Sequence, residues 1–250
     1  MIYITGDCHS DFHRFSRTIF PEQREMTKSD YVIICGDFGG VWDYHGENER
    51  EKNLLDWLEQ KPYTTLFVSG NHENFDRLSE YPEEKWHGGC VHKIRPSVLH
   101  LMRGEIYEIE GKSFFAFGGA RSHDIRDGIL DPVKDKEKIK EWSENYDKLF
   151  RINQRTWWKQ EEATEEEMEY GRKKLKEHGN RVDYIISHCG PQDALNAYSG
   201  GFYKPEPMTQ YFNEIAQKVD FQAWFFGHYH ENKRILDKYY LLYEQIIRIL

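Results

Sequence analysis

Five apolar runs of this sequence end directly in a short polar motif. The five junctions read TGDCH, CGDF, SGNHE, SHCG and FGHYH. Short runs rich in β-branched and aromatic residues are typical of buried strands, and glycine at a strand exit lets the backbone turn sharply. In α/β sheets, ligands bind beyond the carboxyl ends of the strands. The sequence therefore predicts that five loops deliver Asp, Asn and His side chains to one edge of a sheet.

The alternation of strands and helices sets the expected fold class. Strand patterns occupy residues 2–5, 31–35, 64–69, 98–102, 105–109, 113–118, 182–187, 221–226, 233–236 and 239–244. Amphipathic helix patterns occupy residues 47–60, 165–178 and 209–219. Early strands separated by helices predict a parallel βαβ core, and late strands without helices predict an antiparallel addition. The chain is therefore expected to be an α/β protein.

Composition excludes several functional classes. The chain has 250 residues and a net charge of −9, which argues against a nonspecific nucleic-acid binder because such a protein would be basic. No apolar stretch is long enough to span a bilayer and no secretory signal is visible, so we expect a cytoplasmic protein without a membrane partner. The four cysteines form no CxxC pair, which favours free thiols over a zinc knuckle.

Residues 121–180 differ from the rest of the chain because they are densely charged and contain three tryptophans, Trp142, Trp157 and Trp158. We interpret the whole chain, 1–250, as one domain that carries a helical insertion at about 121–180. The charges are typical of solvated helices whose tryptophans pack on the core. A partial cap over an active site is the alternative.

The junction motifs contain a donor set typical of metal sites. Each motif alone is weak, since a lone Gly-Asp is usually a turn and a lone His is usually an ordinary surface or core residue. Together, carboxylates, imidazoles and an amide oxygen suit borderline or hard divalent metals. Seven donors are too many for one tetrahedral ion, so two ions are expected.

Cys8 stands between two of these donors. Side chains alternate near the end of a strand, so Asp7 and His9 point the same way and Cys8 points to the opposite side. Cys35 and Cys189 also stand beside donors. We expect all three cysteines to be buried fillers behind the metal shell.

The ordered motifs GDCH, GDFGG, GNHE, SHCGP and GHYH resemble those of the calcineurin-like metallophosphoesterases, and they span residues 6 to 230. The resemblance implies a four-layer αββα sandwich with two mixed β-sheets and a metal site at the carboxyl ends of the strands. It implies a hydrolase of phosphomonoesters or phosphodiesters that holds two metal ions, with Mn, Fe or Zn expected, and in which a metal-bridging hydroxide attacks phosphorus.

The resemblance also implies a role for each motif residue. It places Asp7, His9 and His230 on the first ion, Asn71, His188 and His228 on the second, and Asp37 on both. His72 is implied to be the catalytic residue that faces the substrate and donates a proton to the leaving oxygen.

One motif departs from the protein-phosphatase branch of this family. At the second motif Gly40 stands where that branch has the acid that orients the catalytic histidine, and Val41 stands where it has a phosphate-binding arginine. This argues against a phosphoprotein phosphatase of that branch. Glu73, Asp76 and Asp43 remain candidates to orient His72. Arg121, which follows another strand exit, is the candidate substrate-binding cation, with a surface salt bridge as the alternative.

Other functions were weighed against phosphoester hydrolysis. A nuclease of the same superfamily would need a basic groove, which a net charge of −9 does not favour. A non-catalytic metal-binding scaffold would have lost donors or His72, and all are present here. The sequence leaves the phosphoester substrate, the metal identity and the oligomeric state open.

Overall fold

The computed structural model describes residues 1–250. The six α-helices are α1 (Glu49–Glu59), α2 (Phe75–Glu80), α3 (Lys136–Ser143), α4 (Glu165–Glu177), α5 (Gln192–Ser199) and α6 (Pro207–Lys218). The first eight strands are β1 (Ile2–Thr5), β2 (Tyr31–Ile34), β3 (Thr64–Phe67), β4 (Glu83–Trp86), β5 (Gly89–Arg95), β6 (Val98–Leu101), β7 (Glu105–Ile109) and β8 (Lys112–Phe117). The others are β9 (Gly128–Leu130), β10 (Phe150–Ile152), β11 (Tyr184–Ser187), β12 (Ala223–Phe226), β13 (Lys233–Ile235), β14 (Tyr239–Leu241) and β15 (Ile247–Arg248).

The strands form two large mixed sheets. One has the strand order β15-β1-β2-β3-β6-β5-β4, and the other has the order β13-β14-β12-β11-β8-β7. Between the sheets, alternate residues such as Ile4 and Phe114 belong to one buried cluster. The intervening residues face outward, where Tyr3 packs in a cluster with α1 and Phe115 packs in a cluster with α4 to α6. The architecture is therefore helix, sheet, sheet, helix, which confirms the predicted α/β sandwich.

The parallel strands bring their carboxyl ends to a common edge in each sheet. In the first sheet Thr5 pairs with Ile34, and Ile34 pairs with Phe67. In the second sheet Phe117 pairs with Ser187, and β11 runs parallel to β12. Except for β8, each of these strands ends within a residue or two of a predicted motif, so the register places the motif loops of each sheet side by side.

The late strands differ in part from expectation. β13 pairs antiparallel with β14, as predicted. β14, however, lies parallel to β12, and this pairing was not predicted. The exposure of the strands gives the reason. Lys233 and Arg234 of β13 are exposed and suit the sheet edge, whereas Tyr239 and Leu241 of β14 are buried and take the inner position.

Five strands of the structure were not predicted: β4, β5, β9, β10 and β15. β4 reads EEKW and is largely exposed, so it lacks the apolar pattern of a buried strand. Its ladder with β5 supplies the backbone pairing instead. Polar edge strands of this kind depend on their neighbours more than on their own side chains.

The segment 121–180 contains β9, α3, β10 and α4. β9 and β10 form a small parallel ladder outside the two large sheets. α4 begins with a capping box between Thr164 and Glu167, and α3 buries no residue. Trp158 is fully buried, whereas Trp142 is half-buried. No helix of the chain has the length and apolar character needed to cross a membrane.

Candidate metal centre

Asp7 and Asp37 occupy equivalent places in the loops that follow β1 and β2, two neighbouring strands of the first sheet. Both carboxylates are buried, and each accepts a hydrogen bond from a backbone amide of another motif loop. The amide of His72 donates to Asp37 Oδ1 at 2.8 Å, and the amide of His228 donates to Asp7 Oδ1 at 2.9 Å. Each bond joins two strand exits that are far apart in sequence, so the loops hold one another in place.

Glycine is required beside both carboxylates. A Cβ added to Gly70 would lie 2.0 Å from Asp37 Oδ1, and a Cβ added to Gly227 would lie 2.0 Å from Asp7 Oδ1. Only glycine lets the backbone approach a side chain this closely. The glycine in SGNHE and in FGHYH therefore shapes the carboxylate environment as well as the turn.

Four of the predicted donors have left-handed backbone. The φ angles are 47° for His9, 44° for Asp37, 71° for His228 and 50° for His230. Non-glycine residues pay ~1–3 kcal/mol for unusual conformations of this kind, and such residues cluster at functional sites. Here the carbonyl of Asp37 accepts from the amides of Cys8 at 3.0 Å and His9 at 2.7 Å, which helps to offset that cost.

Asp7, His9 and His230 form the first donor group, which lies beside Asp37. One potential ligand atom from each of the four residues lies within 4.8 Å of the other three. Nε2 of His230 is 3.1 Å from Asp7 Oδ2 and 3.0 Å from Nε2 of His9. His9 and His230 are 32 % and 50 % exposed, so solvent reaches this group.

Asn71, His188 and His228 form the second donor group, which also lies beside Asp37. Nε2 of His188 is 3.1 Å from Asn71 Oδ1 and 3.3 Å from Asp37 Oδ2. Nδ1 of His188 donates to the carbonyl of Cys35 at 2.8 Å, so in the neutral imidazole Nε2 carries no proton and is free to bind a cation. The His188 and His228 rings lie 4.9 Å apart.

Several features show that these donors fit a cation. Nε2 of His228 is buried without a hydrogen-bond partner, which is costly unless something else binds it. Burial lowers the pKa of His188, but the carboxylates of Asp37 and Asp7 outweigh it and raise that pKa to about 9. Burial, together with His188 and His123, lowers the pKa of His228, which keeps that imidazole neutral. The site thus stabilises positive charge and presents an unprotonated nitrogen.

A chain of hydrogen bonds from residues 121–180 reaches the second donor group. Asn71 Nδ2 donates to the Ser122 hydroxyl at 3.2 Å, which turns Asn71 Oδ1 towards His188. Ser122 in turn donates from its hydroxyl to Glu161 at 2.7 Å and from its amide at 2.8 Å. Ser122 and Glu161 are buried. Neither residue was predicted to belong to the site, because neither lies in a recognisable sequence motif.

His72 lies beside the two groups and has neighbours that the sequence did not suggest. Its ring is 5.1 Å from that of His9 and 5.7 Å from that of Trp42, and its Nε2 is 3.5 Å from Nη2 of Arg151. Burial lowers its pKa, Asp37 raises it, and Arg151 lowers it further. His72 is therefore a neutral imidazole at neutral pH.

None of the three acids considered as partners of His72 contacts its side chain. Glu73 accepts from the amides of Phe38 at 2.7 Å and Gly39 at 3.3 Å, so it shapes the Asp37 loop. Asp76 accepts from Trp158 Nε1 at 3.0 Å, and Asp43 accepts from Asn48 at 2.7 Å. These interpretations are wrong, because all three carboxylates are occupied elsewhere, and Arg151 takes the place beside His72.

Arg121 is exposed and forms no hydrogen bond or ion pair with the predicted donors or with His72. Its assignment as a substrate-binding residue stays a prediction. His123 forms an ion pair with Glu206 at 3.3 Å, and its ring lies 4.8 Å from that of His228.

Cys8, Cys35 and Cys189 are buried in three different apolar clusters, as expected of fillers. Burial raises the pKa of the Cys8 thiol to about 12. A thiol that keeps its proton is a poor metal ligand, which agrees with the prediction that Cys8 is a bystander.

Comparison with known proteins agrees with this architecture. The chain is 25 % identical over 158 residues to lariat debranching enzyme A of Xenopus laevis, a match that covers 56 % of this chain and 27 % of that protein. It is 28 % identical over 130 residues to the lariat debranching enzyme of Schizosaccharomyces pombe, which covers 48 % of this chain and 26 % of that protein. The chain thus matches only about a quarter of the length of these relatives.

A family model described as calcineurin-like phosphoesterase matches residues 1–232, which confirms the predicted family and the predicted enzyme class, hydrolases of phosphoric esters. The chain belongs to the calcineurin-like phosphoesterase family.

Proposed function

We propose that this protein is a phosphoesterase that requires two metal ions and that acts on phosphodiesters. The single observation that supports this most is the meeting of two donor groups at one carboxylate. Asp37 Oδ2 lies 3.6 Å from Nε2 of His9 and 3.3 Å from Nε2 of His188. A carboxylate shared by two sites is typical of enzymes that displace a group at phosphorus.

The two donor groups would hold one ion each. Asp7, His9 and His230 bind the first, Asn71, His188 and His228 bind the second, and Asp37 binds both. Bound divalent ions supply a nucleophile at neutral pH and neutralise charge on the phosphate. The donors are imidazole, carboxylate and amide, which suit Mn, Fe or Zn.

His72 would act on the leaving oxygen of the substrate. Its backbone is anchored on Asp37 at 2.8 Å, and its ring lies between Trp42 and Arg151. Because it is neutral and held beside both donor groups, its ring nitrogen can donate a hydrogen bond or a proton to the leaving group. Residues 121–180 form an insertion into a single domain. They complete the site through Ser122, which bonds to Asn71, and Arg151, which lies beside His72.

Phosphodiesters are favoured over monoesters by the relatives. Those proteins are named for the debranching of lariats. A nuclease of the same superfamily therefore remains the alternative to an enzyme of small diesters. A non-catalytic scaffold is not favoured, because every donor and His72 are present and in contact.

The test combines metal content with turnover. Metal-loaded protein should hold about two ions per chain and hydrolyse bis(p-nitrophenyl) phosphate faster than p-nitrophenyl phosphate. His72→Asn should lower turnover by ~10²–10⁴-fold and leave the metal content unchanged. His178→Asn is the matched control, since His178 lies at the end of α4 and bonds to the carbonyl of Arg181. Metal-loaded protein that hydrolyses neither ester nor any nucleotide would overturn the proposal.

A further inference from the structure

We propose that the His72 side of the metal centre carries a nucleotide-binding site formed by two segments, 42–44 and 151–155. In this site Arg151 binds a phosphate oxygen, and Tyr44 with Arg155 stacks on the base. The inference rests on the proposed function and names its substrate class: a phosphodiester that bears a purine or pyrimidine.

Arg151 is placed to meet a phosphate that occupies the metal centre. It belongs to β10, and its Nη2 lies 3.5 Å from Nε2 of His72. Its Nε and Nη2 donate to Asp124, whereas Nη1 has no acceptor within hydrogen-bond distance. The side chain is 18 % exposed, so little conformational freedom remains to be lost on binding. A planar guanidinium with free donors beside the reacting group suits a phosphate oxygen.

Asp124 would hold Arg151 in this position. Its carboxylate pairs with the guanidinium edge opposite to Nη1 and is itself 42 % exposed. The pair therefore fixes the direction of Arg151 and leaves Nη1 without an acceptor. Asp124 acts through Arg151 and is a positioning residue.

An aromatic wall leads outward from His72. The Trp42 ring lies 5.7 Å from that of His72 and 5.4 Å edge-on from the buried ring of Trp158. Two residues further, Tyr44 is 45 % exposed. The Tyr44 ring contacts that of His45 at 3.9 Å, and its exposed part offers an aromatic surface against which a planar ring can pack.

A second cation covers part of this tyrosine. The guanidinium of Arg155 is 4.9 Å from the centre of the Tyr44 ring. Arg155 stands in a tight turn in which Gln154 has a φ of 54° and the amide of Arg155 donates to the carbonyl of Ile152 at 3.1 Å. The turn ties Arg155 to Arg151, so the same short segment supplies one cation for phosphate and one for a base.

Arg151 and Arg155 place two cations on this side of the metal centre. Beyond His228, an exposed Phe202 stands next to Tyr203, where Glu206 pairs with His123, Glu231 accepts from Tyr198 and Lys233 lies 5.4 Å from the centre of the Tyr198 ring. The chain's net charge of −9 argues against a long basic groove, but it does not bear on one base held beside one phosphate.

The test compares a short single-stranded oligonucleotide with the same strand built from abasic sugars, in DNA and RNA forms. Tyr44→Ala should reduce kcat/KM on the base-bearing strand by ~5- to 150-fold, through KM, and leave the abasic strand unchanged. Arg155→Ala should show the same selectivity with a smaller effect, whereas Arg151→Ala should impair both strands. Tyr146→Ala and Arg126→Ala are matched controls, because both side chains are exposed on the same insertion.

The outcomes separate this inference from the proposed function. Absence of turnover of both p-nitrophenyl esters and of every nucleotide would overturn the proposed function, and equilibrium binding of the labelled strands to wild type and Tyr44→Ala would then decide the inference. Equal effects of Tyr44→Ala on both strands would overturn the base site. A loss of kcat/KM on the base-bearing strand that occurs in Phe202→Ala alone would place the base on the opposite side. A loss of kcat/KM on both strands in Arg121→Ala, but not in Arg151→Ala, would show that Arg151 does not bind the phosphate.

Discussion

The two donor groups of the metal centre differ in how far solvent reaches them. His9 and His230 of the first group are 32 % and 50 % exposed. In the second group His188 is 0 % and Asn71 4 % exposed. Residues 121–180 account for part of this difference, since Ser122 and Glu161 lie behind Asn71. A segment that contributes no predicted donor thus helps to enclose one half of the centre.

The largest effect should follow from removal of the carboxylate that both groups share. We expect Asp37→Asn to lose both ions and all metal-dependent turnover, because its Oδ2 faces histidines of both groups. Elemental analysis after gel filtration measures this directly. Asp237→Asn, at a side chain that is 99 % exposed, is the control. Retention of both ions in Asp37→Asn would show that the two groups act independently.

A change confined to the first group should affect one ion only. Asp7→Ala should lose the first ion, whereas Cys8→Ala should keep both, because the Cys8 side chain is buried among apolar residues. Calorimetric metal titration of the two variants distinguishes the sites by stoichiometry. A loss of metal in Cys8→Ala with intact secondary structure would contradict the assignment of Cys8 as a filler.

Removal of the hydrogen bond behind Asn71 should affect the second group alone. We expect Ser122→Ala to weaken the second ion by ~10- to 100-fold, since residues that orient a ligand typically contribute that much to metal affinity. The first ion should bind as in wild type. Ser143→Ala removes a hydroxyl from α3 that bonds only to the carbonyl of Ile139, and it serves as the control. Equal weakening of both ions would indicate a general loosening of the fold.

The last effect should be on stability and not on metal binding, and it acts through Glu161. Burial raises the pKa of this carboxyl to about 7, although its bonds with Ser122 lower it. The folded protein therefore binds this proton more tightly than the unfolded chain, so stability falls as pH rises from about 4.5 to about 7, by up to ~3 kcal/mol. Glu161→Gln should remove this part of the pH dependence in urea unfolding. Identical pH profiles for the two proteins would show that Glu161 is ionised throughout.

The motif loops were predictable because the rule that joins them is local. Each donor follows its own strand within a few residues, and parallel register then brings the strand ends together. Asp7 and His9 meet at the centre while Cys8 does not, as the alternation of side chains predicted, although β1 ends at Thr5 and the backbone of His9 is left-handed. The interpretation of Cys8, Cys35 and Cys189 as buried follows equally from their positions.

The surroundings of His72 were not predictable, because they depend on contacts across 79 residues. Sequence proximity suggested Glu73, Asp76 and Asp43, but each of these carboxylates binds nearer backbone or side-chain donors. Arg151 lies in a charged segment in which nothing distinguishes it from its neighbours. The packing of Trp158 against Trp42 and the Asn71–Ser122 hydrogen bond bring that segment to the site.

The sequence by itself determined the family, the order of the layers and the inward faces of the strands, because apolar alternation and the strand-exit motifs are properties of short segments. Only the tertiary structure decided how the donors divide into an exposed and an enclosed group, which cation stands beside His72, and that β14 takes the inner position next to β12. Those features arise from competition between distant segments for the same space and the same hydrogen-bond partners, and no short segment records the outcome.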